Sequence, residues 1–167
     1  MENRVSINAA HNKWWQIFEI VFGVPFLIAI SLQLLFPISF PQGFFTSIIV
    51  IAGVAILFIG IILVILTRME FAKYNQPTDP GYPTIKIINT GVFSFSRNPL
   101  YLGGICIIIG VALTINLPWV LILLAPTLFI CHFVLIVPEE KYLATKFGKE
   151  YWSYVSSVKR WIGRNKN

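Results

Sequence analysis

The chain has 167 residues, 56% of them hydrophobic and 12% charged, with a formal net charge of +6. A soluble domain of this size cannot hide so much apolar surface, so the composition argues for a single membrane domain over residues 1–167. The basic residues flank apolar runs and form no basic domain of their own, which argues against nucleic-acid binding.

Residues 1–13 are polar and carry Arg4 and Lys13. Trp14 and Trp15 follow, as expected where a chain enters a membrane interface. The first apolar run, about Gln16 to Phe36, is too long for the h-region of a signal peptide, and no small-residue cleavage site follows it. It contains Glu19 near its entry, Pro25 inside and Gln33 near its exit. Glu19 is close enough to the edge to reach headgroups or water, or to take a polar partner within the protein. Pro37 to Gly43 is an uncharged turn, and a second, almost purely aliphatic run covers about Phe44 to Leu66. At about 1.5 Å per residue, either run crosses a hydrocarbon core of about 30 Å. Gly53 and Gly60 would let another helix approach closely, although their spacing is not G-x-x-x-G. Residues 1–66 therefore read as an N-terminal helical hairpin.

Residues 67–98 read as a cytoplasmic loop. Arg68 to Tyr74 continues the second helix into water, and the prolines and glycine between Gln76 and Pro83 turn the chain. Thr84 to Phe95 reads as an interfacial loop leading into Arg97-Asn98-Pro99. A third run covers about Pro99 to Ile115, Asn116-Leu117-Pro118 turns tightly, and a fourth run covers about Trp119 to Val137. Cys106 and Cys131 lie inside these runs and read as packing residues, with no metal-type spacing. After Pro138, Leu143, Phe147, Tyr151, Tyr154, Val158 and Trp161 recur at helical spacing. They predict an amphipathic helix on the membrane or packed over the protein, which Gly148 weakens enough to allow a break. The expected fold is all-α and polytopic, with four transmembrane helices plus a C-terminal amphipathic segment.

The 13 Lys and Arg residues divide as two before the first run, four between the second and third, and seven after the fourth. The other two connections have none. The positive-inside rule then puts both termini and the central loop in the cytoplasm, as in a protein of the inner membrane. Arg97 and the Glu139-Glu140 pair return to one face after a two-helix excursion.

As helix punctuation alone, Asn98 would be an N-cap, Pro99 the first helical residue, and Arg97 a cation reaching for headgroups. The same geometry also suits a bound carboxylate, because free N–H groups and a guanidinium fork converge there. Tyr101 would lie one turn inside, and Gly103 and Gly104 would admit a ligand or a neighbouring helix. Glu139 and Glu140 suit the first turn of a helix after Pro138, and equally an ammonium or Arg97. Adjacent helical residues point about 100° apart, which disfavours a glycosidase pair. His132 reads as a histidine bonded to a neighbouring helix or as a ligand contact.

Arg97-x-Pro99-x-Tyr101-x-Gly103, then Glu139-Glu140, then Phe147-Gly148-x-Glu150-Tyr151-x-x-Tyr154 and Arg160, resembles the isoprenylcysteine carboxyl methyltransferase family and its phospholipid methyltransferase relatives. The likeness covers about residues 89–162. It implies S-adenosylmethionine as methyl donor and a cofactor site within residues 99–167. By position it implies Arg97 and Glu140 as catalytic residues. Asn98, Pro99, Tyr101, Gly103, His132, Glu139, Glu140 and Tyr151 would bind the cofactor. Asn98 stands where many relatives have His. The implied acceptor is small and lipophilic, a carboxylate such as an isoprenylcysteine-like substrate. Membrane sterol reductases, which use a nicotinamide cofactor, carry a similar pattern, and a non-catalytic membrane scaffold would also explain the basic loops and interfacial aromatics.

Overall fold

A computed structural model describes residues 16–77 and 82–165. The expectations for Trp14, Trp15 and part of the Gln76 to Pro83 turn lie outside the described residues. The architecture is all-helical. Helix α1 is Phe18–Leu35 and α2 is Phe44–Lys73. A short 3-10 turn, Gly91–Ser94, precedes α3, Pro99–Thr114. Helix α4, Pro118–Cys131, passes through a π-helical turn, His132–Ile136, into α5, Val137–Phe147. Helix α6 is Lys149–Ser157.

Among the described residues, three helical stretches are long and apolar enough to cross a membrane: Phe18–Leu35, Phe44–Lys73 and Pro118–Phe147. The fourth expected span, α3, is apolar but has 16 residues. At about 1.5 Å per residue it rises about 24 Å, short of a core of about 30 Å. Helix α2 does continue past the apolar run, through Arg68 to Lys73.

The closest packing is between α2 and α3, which run antiparallel. Their glycines allow it. A Cβ on Gly60 would stand 2.7 Å from Gly103 O and Ile107 N, and one on Gly110 would stand 2.5 Å from Leu57 N. Gly53 meets Leu113 and Thr114 in the same way. In lipid there is little hydrophobic drive between helices, so backbone approach and close packing must supply the attraction. The opposite face of α2 leaves Ile51, Phe58, Ile62 and Ile65 exposed, a surface suited to lipid. Helix α1 packs on α4, and Val21, Phe22, Ile105, Leu124 and Leu135 form the core between them and α3.

One departure from the expected helices matters for the site. Pro138 does not start a new helix; Ile136 and Val137 have helical backbone and the chain runs through. Proline has no N–H and its ring crowds the carbonyl four residues back. The wider π turn just before Pro138, closed by Val137 N–H on His132 O, relieves that conflict. It also rotates everything after it by about 100° relative to an unbroken α-helix, including Glu139 and Glu140. The expected break does occur at Gly148, whose φ of 51° ends α5 and starts α6.

The C-terminal segment packs over the protein. Tyr151, Tyr154 and Val158 are buried with Ile88, Val92 and Phe93. The loop before α3 is tied to the end of α2: Thr90 Oγ1 donates to Glu70 Oε2 at 2.7 Å, and the Tyr74 hydroxyl lies 2.9 Å from Thr90 Oγ1. At the opposite end, Trp119 Nε1 donates to Phe36 O and Phe40 N donates to Asn116 Oδ1, stitching the two uncharged turns together.

Candidate functional site

The site forms where the α3 N-terminus, α5 and the C-terminal turn meet. Asn98 occupies the N-cap position and Pro99 the first helical position, as expected. The Asn98 side chain makes no cap bond. Its Nδ2 donates instead to Arg160 O at 3.2 Å, while Asn98 N donates to Ser96 Oγ at 3.1 Å. Arg97 N donates to Lys159 O at 3.1 Å. A tight C-terminal turn presents those carbonyls. Lys159 N donates to Gly163 O, and Gly163, at a φ of 109°, donates to Phe95 O.

Around this turn sits a shared carboxylate. Glu140 Oε1 lies 3.0 Å from Arg97 Nη1. Arg160 grips the same carboxylate with two bonds, Nε to Oε1 at 2.9 Å and Nη2 to Oε2 at 2.7 Å. This is the bidentate geometry that makes Arg–carboxylate pairs strong. The hydrogen bond to Glu140 holds the Arg160 guanidinium above its ordinary pKa. Arg97 Nη1 also donates to the Tyr151 hydroxyl at 3.2 Å. Arg97 is almost wholly enclosed, and its Nε is buried without a partner in the protein.

Next to this cluster lies a cavity of about 230 Å³. Arg97, Asn98, Pro99, Tyr101 and Glu139 line it, together with Phe18 and Glu19 of α1, Arg68 and Phe71 of α2, and Lys86 of the loop. Tyr101 donates its hydroxyl proton to Glu139 Oε2 at 3.0 Å. Glu19 is exposed at its rim.

Five of the expected site residues, Arg97, Asn98, Pro99, Tyr101 and Glu139, thus share one cavity wall. Glu140 and Tyr151 stand behind it, attached to Arg97. Gly103 faces α2, where a Cβ would meet Val64 and Gly60 O, so it serves helix packing rather than the cavity. His132 is half-buried in the π turn, edge-on to Phe133 with ring centroids 4.8 Å apart, and does not line the cavity. The sequence reading assigned no site role to Arg160, Phe18 or Lys86. The 20-residue separation of Arg160 from Glu140 across the Gly148 break hid that pair.

Tyr154 donates to Phe93 O at 2.7 Å from a buried position. Burial pushes its phenol well above the ordinary tyrosine range. Burial also raises Tyr151, with Glu140 adding to the shift and Arg97 opposing it. An unfolded tyrosine ionises near pH 10. Above that pH the unfolded chain releases protons that the folded chain retains, so stability falls as pH rises. Tyr154→Phe should therefore flatten the fall in melting temperature between pH 9 and 11. It should also lower stability at pH 7 by about 1 kcal/mol through the lost hydrogen bond. Thermal scans in detergent across that range check both effects.

A family model described as phospholipid methyltransferase matches residues 48–150. No similar curated protein and no similar solved structure was found. The matched region contains α3, Arg97, Glu139 and Glu140, and it agrees with the resemblance carried by those residues. It does not favour a nicotinamide-dependent reductase. With this match over well over half its length and three helices able to cross a bilayer, the chain belongs to the phospholipid methyltransferase family and is an integral membrane protein.

Proposed function

We propose that this protein transfers a methyl group from S-adenosylmethionine to a small lipophilic acceptor, a carboxylate in the favoured case. The observation that carries this reading is the convergence of Arg97, Tyr101 and Glu139 on one cavity at the charged end of an apolar helical frame. The residues present suit the donor. Arg97 offers a buried N–H without a protein partner, which a methionyl carboxylate would satisfy. Glu139, oriented by Tyr101, can take an ammonium. Phe18, Phe71 and Tyr101 offer ring faces and edges to an aromatic base.

When bound, S-adenosylmethionine supplies an electrophilic methyl group on a sulfonium. The protein's part is then mainly to align acceptor and donor and to exclude water. A carboxylate acceptor is already ionised at neutral pH and needs no general base. Arg97 can orient that acceptor as well, so its two roles compete for one guanidinium. An apolar acceptor reaches the cavity from the lipid, past the start of α1, and the polar donor reaches it from water.

The charge distribution supports an inner-membrane protein with both termini cytoplasmic. Arg68, Lys73, Lys86 and the C-terminal cations share the cavity end, while the turns at the other end carry no charge. In this reading α3 is a fourth crossing held close to α2, with its short length compensated by local bilayer thinning.

Titration of purified protein with S-adenosylhomocysteine should give saturable binding, and labelled methyl donor incubated with lipid extracts should yield a labelled apolar product. Absence of both, with stabilisation by NADPH instead, would overturn the assignment.

A further inference from the structure

We propose that Arg68 and Lys86 form a second anion subsite at the rim of this cavity, which holds an oxyanion on the lipophilic acceptor and leaves Arg97 to the methyl donor. The proposal deepens the assignment above and rests on it for the identity of that donor. Among the described residues, five charged side chains line the cavity: Arg68, Lys86 and Arg97, with Glu19 and Glu139. S-adenosylmethionine brings two cationic groups and a single carboxylate. With Arg97 on that carboxylate and the glutamates on the cationic groups, Arg68 and Lys86 remain without an anion. An acceptor with a negative head supplies one, and a neutral or cationic acceptor does not.

Both cations are exposed, and among the described residues neither makes an ion pair. An acid on the same helix would pair with Arg68 from three or four positions away, but those positions hold Val64, Ile65, Phe71 and Ala72. Glu70 is turned to the loop instead, where it accepts from Thr90 Oγ1 at 2.7 Å. Lys86 rests its ammonium over the Tyr74 ring, 3.9 Å from the centroid, an attraction that places the charge without neutralising it. The Tyr74 hydroxyl lies in turn 2.9 Å from Thr90 Oγ1, which fixes the ring.

The same rim meets the lipid. Arg68 continues a helical stripe through Ile61 and Ile65, both exposed on α2, so it stands where the hydrocarbon-facing surface joins the cavity. Arg97 is enclosed by comparison. Helices α1 and α2 both contribute to the cavity wall, yet α1 packs on α4 and α2 on α3. An amphiphile can therefore lay its chain along Ile61 and Ile65 with its head between Arg68 and Lys86.

The test uses full-length protein in phosphatidylcholine nanodiscs. Octyl phosphate and octanoate are the probes, octanol and inorganic phosphate the controls, and S-adenosylhomocysteine reports the donor site. A solvent-exposed ion contact is worth up to about fivefold, so Arg68→Gln combined with Lys86→Gln should weaken the tighter charged amphiphile roughly 10-fold. That amphiphile identifies the head as phosphate or carboxylate. Octanol should bind native and double variant alike, which also shows that the rim has kept its shape. Inorganic phosphate, lacking a chain to bury, should bind native protein at least about 10-fold more weakly than octyl phosphate. Affinity for S-adenosylhomocysteine should stay within about threefold in the double variant. Lys149→Gln removes an exposed cation that does not line the cavity, and should leave every affinity near native.

Unchanged amphiphile binding in the double variant overturns the proposal. An equal loss in Lys149→Gln does so too, because bulk surface charge would then be the cause. Inorganic phosphate binding as tightly as octyl phosphate would mean a free-anion site, and a parallel loss of S-adenosylhomocysteine would mean that the two cations serve the donor; either result overturns it. If the amphiphile loses affinity as described while native protein never binds S-adenosylhomocysteine, the subsite stands and the choice of methyl donor fails.

Discussion

Arg97→Ala is expected to lower affinity for S-adenosylhomocysteine by about 100-fold and to abolish methyl transfer, with little change in melting temperature. Two charge-assisted hydrogen bonds to a ligand anion are worth about 3 kcal/mol, and each 1.4 kcal/mol is a factor of ten. The small effect on stability follows from the shared carboxylate. When Arg97 is removed, Glu140 keeps both bonds from Arg160, so no buried charge is stranded. Tyr151 loses a donor at 3.2 Å but remains packed against the C-terminal core. Arg97→Lys keeps the charge and loses the fork, and should weaken binding about 10-fold. Calorimetric titration read beside thermal unfolding checks this pattern. A variant that unfolds in step with its loss of binding would show that Arg97 serves the fold.

Much of this geometry was legible in the sequence because it follows from counting. Two apolar runs with a tight turn between them must bring the chain back to the face it left, and so Arg97 and Glu140 meet at 3.0 Å. The extension of α2 through Arg68 to Lys73 was visible because no breaker interrupts it. The stop at Gly148 was visible because glycine is a weak helix former at the point where the chain must turn.

The unread parts depend on contacts that local pattern does not encode. Pro138 looks like a helix start, and only the π turn before it lets the helix continue and re-aim the two glutamates. Gly103 belongs to a site motif by spacing, yet in three dimensions it faces Gly60 O and Val64. Arg160 sits past a helix break, where helical periodicity no longer predicts direction. The seat of the loop before α3 depends on Glu70 passing under Gly91, whose φ of 53° and lack of a side chain make room for the carboxylate.

The largest loss of stability should come from the α2–α3 seam. Gly110→Leu would place a side chain where even a Cβ stands 2.5 Å from Leu57 N and 2.7 Å from Leu57 Cα. These are backbone atoms of the facing helix and cannot swing aside as a flexible side chain can. The helices must separate, and in lipid little hydrophobic drive remains to hold them at the wider spacing. Overpacking a close interior contact costs about 1–3 kcal/mol, and a backbone clash belongs at or above the upper end. Gly60→Leu meets Gly103 O and Ile107 N at 2.7 Å and should behave alike. Gly23→Ala is the matched control, because nothing lies within 4 Å of its added Cβ. By helix propensity it should be neutral or stabilising by up to about 1 kcal/mol. The damage should also reach the cavity, because α2 carries Arg68 and Phe71 into its wall and anchors the loop through Glu70. Thermal unfolding in detergent should show both seam variants well below native and Gly23→Ala at or above it. Seam variants that melt like native protein would mean that α2 and α3 do not pack through these glycines.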